Sequence, residues 1–375
     1  MELIDENGNL FGVVNVIDAL VVVLALAVVA AGIAVIGVLG VGGGPAGNDD
    51  EAGASSTETK YATLSLGTQS VETAESITAG DEMMAGDERL SITDVYAIRT
   101  SSDTADVTVR TEVVATHHEN GTVTFDGDQF ASGRNVSVQT DEYDVNGSVD
   151  AVESNTTTLS TTETEVLFED TVGRETAEQI RAGDESAIGN ETVATLESTS
   201  AYPIGDDKYR VTAGATLTTL ETDDGVRYGQ QPVESGATIP FATDSYTLEP
   251  ATLETGTTDE PGEATTTTVE LDLDELSDRE ADLFEPGLTE TTSGETRATV
   301  TSVDREPATV VVEAEDGSLN EQAHPTKDDV TLTVELETRE TDLGTEFKGE
   351  TLRTGDTVYL DFGVTTVEER AWVVD

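Results

Sequence analysis

An eleven-residue segment of this chain occurs twice. ETAESITAGDE (Glu72–Glu82) returns as ETAEQIRAGDE (Glu175–Glu185), with nine positions identical at an offset of 103 residues. The offset persists downstream: Ser132-Gly133 falls on Ser235-Gly236, and Thr140-Asp141-Glu142-Tyr143 falls on Thr243-Asp244-Ser245-Tyr246. A third, more diverged copy fits the same frame, placing Ala281, Asp282, Phe284 and Gly287 on Ala177, Glu178, Ile180 and Gly183, and Thr354-Gly355 on Ser235-Gly236. Between the two landmarks the first copies each span 53 residues and the third spans 68, with the excess expected around Asp304–Asp328, which includes His324-Pro325. A period of this length is too long for solenoid repeats of about 20–50 residues and matches small domains.

Within each copy the dominant pattern is period two. DVTVRTEVV (Asp106–Val114), TVTF (Thr122–Phe125), NVSVQT (Asn135–Thr140), DVTLTVELET (Asp329–Thr338) and TVYLDFGV (Thr357–Val364) alternate apolar with polar residues, as half-buried strands do. The repeated segment is the exception: Val71, Ala74 and Ile77 fall at helical spacing, and Gly80, Gly183 and Gly287 follow where a left-handed helix C-cap is expected. The expected fold is therefore mainly β, with three tandem small barrel- or sandwich-like repeats (61–156, 157–256 and 257–375), each with one short helix. Three such units on a stalk would resemble a chain of beads.

Ahead of the repeats lies ALVVVLALAVVAAGIAVIGVLGV (Ala19–Val41), 23 residues without a charge. As a helix it is about 35 Å long, enough to span a hydrocarbon core of about 30 Å. The preceding segment (1–18) has Glu2, Asp5, Glu6 and Asp18 and no base, unlike the basic start of a cleaved signal peptide. We therefore expect an uncleaved transmembrane anchor after a short N-terminal segment, followed by a flexible tether (42–60). Small residues four apart (Ala27 and Ala31, Ala30 and Ala34) offer a face for a homo-oligomer through this helix. Five Asn-X-Ser/Thr sequons, at Asn120, Asn135, Asn146, Asn155 and Asn190, favour an extracytoplasmic body and are candidate glycosylation sites.

Charge narrows the environment. The chain has 77 acids against 18 bases, a formal net charge of −59, and all but eight acids lie beyond residue 60. Such a body repels itself in dilute buffer, whereas multimolar salt screens it; a halophilic folded protein is the expectation. Nucleic acid is excluded as a partner, because phosphate contacts need Lys and Arg. The chain has no cysteine, which removes disulfides, thiolate metal sites, a cysteine nucleophile and anchoring through a lipidated Cys.

The opening LIDENGNLFGVVNVIDALVVVLAL (Leu3–Leu26) carries Ile4, Asp5, Glu6, Gly8, Leu10, Phe11, Gly12, Asn15, Ile17 and Asp18. In these residues the chain resembles domain-of-unknown-function family 4330, uncharacterised membrane-anchored proteins whose members begin with this pattern and one transmembrane helix. The resemblance implies a membrane anchor and a β-rich extracytoplasmic module. It supplies no catalytic residues. This chain departs from the family pattern in its acidity and in three units instead of one. The density of matched residues marks Asp5, Glu6, Gly8, Phe11, Gly12, Asn15 and Asp18 as a docking motif at the membrane face.

Candidate chemistry is sparse. Glu142, Asp144, Asn146, Asp150 and Glu153, with Gly147 between them, have EF-hand-like spacing, but no helical pattern flanks them and a hairpin turning at Asn146-Gly147 accounts for them better. His117 and His118 are adjacent, so on a strand they face opposite ways, and His324 stands apart. Acid pairs (Asp206-Asp207, Asp223-Asp224, Asp328-Asp329) are ordinary in so acidic a chain. Eight tyrosines (Tyr61, Tyr96, Tyr143, Tyr202, Tyr209, Tyr228, Tyr246 and Tyr359) follow the strands, for cross-strand packing before any carbohydrate or partner surface. No catalytic residue, metal site or cofactor is expected. The sequence leads to a non-enzymatic envelope protein serving adhesion, scaffolding or complex assembly, with a protein or glycan partner. The alternative is an accessory subunit of an envelope polysaccharide, glycan or export system.

Overall fold

A computed structural model describes residues 9–10, 14–15, 56–292, 294–313 and 319–374. The chain divides into two compact units, Met1–Gly53 and Ala54–Asp375. In the first, β1 (Asn9–Leu10) pairs antiparallel with β2 (Val14–Asn15), setting Asn9 opposite Asn15. The expected anchor, Ala19–Val41, lies outside the described residues, as do Asp5, Glu6, Gly8, Phe11, Gly12 and Asp18 of the docking motif. Among the described residues no helix is long and apolar enough to cross a membrane.

The second unit is mainly β and contains three large sheets. The first comprises β3 (Ser56–Ser70), β4 (Glu82–Ala85), β5 (Glu88–Arg99), β6 (Thr104–His117), β7 (Val123–Phe125), β8 (Asp128–Gln129), β9 (Asn135–Gln139) and β10 (Asp144–Glu153). Their order is β3-β10-β9-β4-β5-β6-β7-β8, and β3 also pairs with β6. That last pairing closes six strands into a barrel and leaves them without free edges. Alternate residues point inward, so Leu64, Val109, Val113, Val138, Val149 and Phe125 fill the barrel. β3 begins at Ser56, inside the segment expected as tether, because Thr57 and Thr59 find ladder partners in Thr116 and Val114.

In the second sheet β11 (Thr161–Val172), β12 (Glu185–Ile188), β13 (Glu191–Gly205), β14 (Lys208–Thr222) and β19 (Ala251–Thr255) run in the order β12-β13-β14-β11-β19. β15 (Gly225–Tyr228) and β16 (Gln231–Pro232) extend from β14, while β17 (Phe241–Ala242) and β18 (Thr247–Leu248) form a separate hairpin. The third sheet runs β21 (Thr289–Thr292), β22 (Glu295–Glu313), β23 (Leu319–Thr341), β20 (Glu263–Ser277), β27 (Thr366–Val373), β26 (Thr357–Asp361), with β24 (Gly344–Phe347) and β25 (Glu350–Thr351) off β23. The TVYLDFGV stretch is strand only to Asp361; the chain then turns, and the Phe362 N–H donates to the Thr365 carbonyl at 3.0 Å.

A short helix follows the first strand of each sheet: α1 (Val71–Ser76), α2 (Arg174–Ala177) and α3 (Asp278–Ala281). Ser70 caps α1 by accepting from the Thr73 N–H, and Ser277 and Glu280 form a reciprocal capping box on α3. The helices end before the glycines expected as C-caps. Gly80, Gly183 and Gly287 do have left-handed φ (101°, 90° and 93°), but each sits in the turn that follows. There its N–H donates to a strand carbonyl, Ile92, Leu196 or Val300, at 2.7–2.8 Å. The later glycines Gly133, Gly236 and Gly355 likewise donate to Val149, Thr252 and Ala371.

Two other expectations are corrected. The chain does not turn at Asn146-Gly147: β10 runs straight through, and the turn is at Asp141-Glu142, held by the Thr140 hydroxyl. Gly147 instead lets two strands approach, since a Cβ there would lie 2.6 Å from the Ser65 carbonyl oxygen. The polar excess around Asp304–Asp328 is a ribbon: β22 and β23 continue past Pro307 and Asp328, pairing Thr309–Glu313 with Leu319–Ala323.

Candidate functional site at the sheet junctions

The sheets are packed against one another, unlike beads on a string. Tyr96 and Ile98, at the end of β5, belong to the core of the second sheet, and Ile188 of β12 belongs to the core of the first. The Tyr96 hydroxyl donates to the Thr218 carbonyl at 2.9 Å and accepts from the Gly229 N–H at 3.4 Å. Burial holds that hydroxyl well above the usual tyrosine range. Arg99 pairs with Asp244 at 2.6 Å. The connection between the sheets is also fastened: Arg110 donates to the Thr156 carbonyl at 2.8 Å and pairs with Glu153, and Asp94 accepts from the Leu159 N–H at 2.8 Å.

The junction of the second and third sheets is polar. Lys348 is almost fully buried, with its ammonium 2.8 Å from both oxygens of Glu290, itself 1 % exposed. The same ammonium donates to the carbonyls of Pro203 at 3.1 Å and Tyr359 at 2.7 Å, so one cation ties β13 of the second sheet to β21 and β26 of the third. Burial lowers the Lys348 pKa and raises that of Glu290, and their mutual attraction opposes both shifts. Glu290 Oε2 also accepts from the Asp361 N–H at 2.8 Å, while the buried Oε1 has only its ion-pair contact with the ammonium.

Four arginines surround this pair. Arg210 donates to the Lys348 carbonyl at 2.8 Å and pairs with Glu169 and Glu350. Arg174 lies over the Tyr209 ring and reaches Asp361 at 3.2 Å. Arg297 lies over Tyr202, 5.1 Å from the ring centroid, and pairs with Glu337 at 3.0 Å. The Tyr202 hydroxyl donates to Glu260, and its pKa is pushed up to about 12, by burial first. Arg339 donates to the carbonyls of Glu260, Pro261 and Gly262, fastening the second connection. Of these residues Tyr202, Glu260, Arg297, Glu337, Arg339 and Lys348 border a cleft of about 390 Å³, while Arg174 and Tyr209 line a neighbouring groove. In a chain with only 18 bases, this concentration makes the junction the strongest candidate site. Its cations are already engaged by carboxylates and carbonyls, so the arrangement is suited to holding two sheets in one geometry.

The sequence-derived candidates are dispersed. All five sequon asparagines are exposed, and Asn135 and Asn146 share the outward face of the β9–β10 ribbon, where Asn146 lies opposite Ser137 and Ser148 opposite Asn135. Glu142, Asp144, Asn146, Asp150 and Glu153 are strung along the β10 turn and strand, an extended path that cannot wrap a cation as an EF-hand loop does. His118 bonds Thr124 at 2.8 Å, and His117 stands opposite Ser56 and Val123. Asp207 accepts from the Arg174 N–H, Asp328 pairs with Arg305, and Asp329 accepts from the Glu275 N–H. Among the described residues no group of three or more His, Asp or Glu is placed to hold a metal ion. Six tyrosines are buried; Tyr61 and Tyr359 are half-buried. Sequence reasoning missed Glu290, Arg297 and Lys348, and had Tyr202 only as one of eight strand tyrosines. The available signal was scarcity, since Lys348 is one of only four lysines.

The model of a domain of unknown function, DUF4330, matches residues 1–102 and 251–374, more than half of the chain. The chain belongs to the DUF4330 family. In this member the matched stretches take in the N-terminal segment, the first sheet through β5, β19 and the third sheet, while most of the second sheet lies between them. No curated protein and no solved structure matches the chain.

Proposed function

We propose that this DUF4330 member is a non-enzymatic, membrane-anchored envelope protein of a high-salt environment. In this reading Ala19–Val41 is the anchor, the body is extracytoplasmic, and the three sheets are copies of one β module. The modules display a fixed arrangement of surfaces for adhesion, scaffolding or complex assembly, where repeated contacts raise avidity without new chemistry. The observation that carries the reading is the fastening of both junctions, by the shared Tyr96–Ile98–Ile188 core and by the buried Lys348–Glu290 pair. Supporting it, the strand–helix–turn order and the glycine hydrogen bonds recur in each sheet.

Protease shaving of intact cells in high salt, followed by mass spectrometry, tests sidedness. Release of peptides from residue 56 onward, with glycan mass on the sequon peptides, is the expected result. Protection of the whole body until the cells are lysed would defeat it.

A second reading, an accessory subunit of an envelope polysaccharide, glycan or export system, is favoured by two exposed apolar residues of the first module, Met84 and Val114. Co-purification from detergent of a stoichiometric membrane partner would select it over adhesion.

A further inference from the structure

Each later module docks on its predecessor through corresponding positions. Ile92, Leu196 and Val300 receive the Gly80, Gly183 and Gly287 hydrogen bonds. Four and six residues beyond them lie Tyr96 and Ile98 in the first module, Ser200 and Tyr202 in the second, and Asp304 and Glu306 in the third. In the first two modules this strand end receives the next module: Tyr96 and Ile98 enter the second core, and Tyr202 stacks under Arg297 of the third. In the third module Asp304 and Glu306 are exposed, beside Arg305 with its partners Asp278, Asp282 and Asp328. This receiving face has been converted to charge, as terminal repeats of stacked arrays are.

The opposite, inserting face is different. Four residues after the same glycines come Met84, Ala187 and Thr291. Thr291 lines the groove against Arg174 and Tyr209 of the second module, and Ile188, next to Ala187, is buried in the first module's core. Thr218, whose carbonyl takes the Tyr96 hydroxyl, corresponds to Val114, since their neighbours Leu217 and Val113 pair with Ala194 and Leu90. Asp244, which takes Arg99, corresponds to exposed Asp141. The first module thus has exposed Val114 (48 %) at the position whose carbonyl takes the Tyr96 hydroxyl in the second module, and exposed Met84 (41 %) next to Ala85, the counterpart of Ile188.

We propose that this face of the first module docks a separate protein whose strand end has the chemistry of the receiving faces: an aliphatic side chain, a tyrosine hydroxyl that donates to the Val114 carbonyl, and an arginine for Asp141. A second copy of this chain does not fit, because its one free receiving face carries Asp304, Arg305 and Glu306 in place of apolar residues. The inference rests on the three-module reading and names the kind of partner it requires.

The test uses the full chain with residues 56–160 duplicated ahead of Ser56, so that a known receiving face (Tyr96, Ile98, Arg99) is presented to the original first module. Because the chain has no cysteine, Val114→Cys in the original copy is a clean maleimide reporter. The duplicated module should slow labelling by at least about tenfold, and Tyr96→Ala with Ile98→Glu in the added copy should restore the rate. Thr218→Cys in the unextended chain is the control, slow to label and accelerated by Ile98→Glu. Unchanged labelling of the Val114→Cys reporter with a working control overturns the docking face alone. A control that does not respond overturns the repeated-junction reading and the docking face with it. Concentration-dependent protection of the same reporter thiol in the unextended chain, with a dimer in sedimentation, assigns the face to a second copy and overturns the separate partner.

Discussion

The Tyr143 hydroxyl donates to the Asp81 carboxylate at 3.0 Å, across 62 residues of sequence. The same carboxylate accepts from the Thr78 N–H and hydroxyl, so it holds its own turn and fastens the β9–β10 hairpin to it. Tyr246 and Asp184 make the same contact beside the second sheet at 2.5 Å. In the third, the corresponding positions are Leu288 and Thr365, and both partners of the pair are gone together. Paired loss is what a buried hydrogen bond favours, because one orphaned partner costs more than removing both.

Replacing Tyr143 by Phe is expected to cost about 1–2 kcal/mol, and Asp81→Ala more, since it removes the turn contacts too. The double variant should cost less than the sum of the two. Urea unfolding in high salt measures all three.

Breaking the buried pair by Lys348→Met leaves Glu290 uncompensated and should cost about 3–5 kcal/mol, whereas Lys348→Met with Glu290→Leu should recover most of it. The single variant should also become protease-sensitive between the second and third sheets, read by gel after limited digestion.

Gly214 lies where a Cβ would overlap the Thr258 carbonyl in the second connection. Gly214→Val is therefore expected to displace that connection, and limited proteolysis should cut within residues 256–262 faster in the variant than in the parent chain.

Burial raises the pKa of Tyr96, Tyr143, Tyr202, Tyr228 and Tyr246. The unfolded chain, with ordinary tyrosines near pH 10, releases these protons first, so stability is intact below about pH 10 and falls as pH rises beyond it. Absorbance at 295 nm should show these tyrosines ionising together with loss of far-ultraviolet β signal.

A net charge of −59 makes stability salt-dependent. Lowering KCl from multimolar to about 0.1 M lengthens screening from about 3 Å to about 10 Å, and the urea midpoint should fall accordingly. A midpoint independent of salt would remove the argument for a high-salt environment.

Much of the fold was legible in order. Alternation located β6, β9 and β23 because one face of each is buried, and the glycine shared by Ala79-Gly80-Asp81, Ala182-Gly183-Asp184 and Pro286-Gly287-Leu288 located the turn after each helix because it takes a left-handed φ. Asn146-Gly147 misled because its turn propensity is local, while the use made of Gly147 depends on β3, about eighty residues upstream.

The sequence by itself determined a family, a β-rich body, a large acidic excess and a recurring local frame, since these depend on composition and on neighbours within a few residues. Only the tertiary structure decided where the scarce cations go and that the sheets are fastened together. Met83, Ser186 and Glu290 hold corresponding buried places, yet only Glu290 meets a lysine, because the sign of a buried position is set by what another strand brings to it.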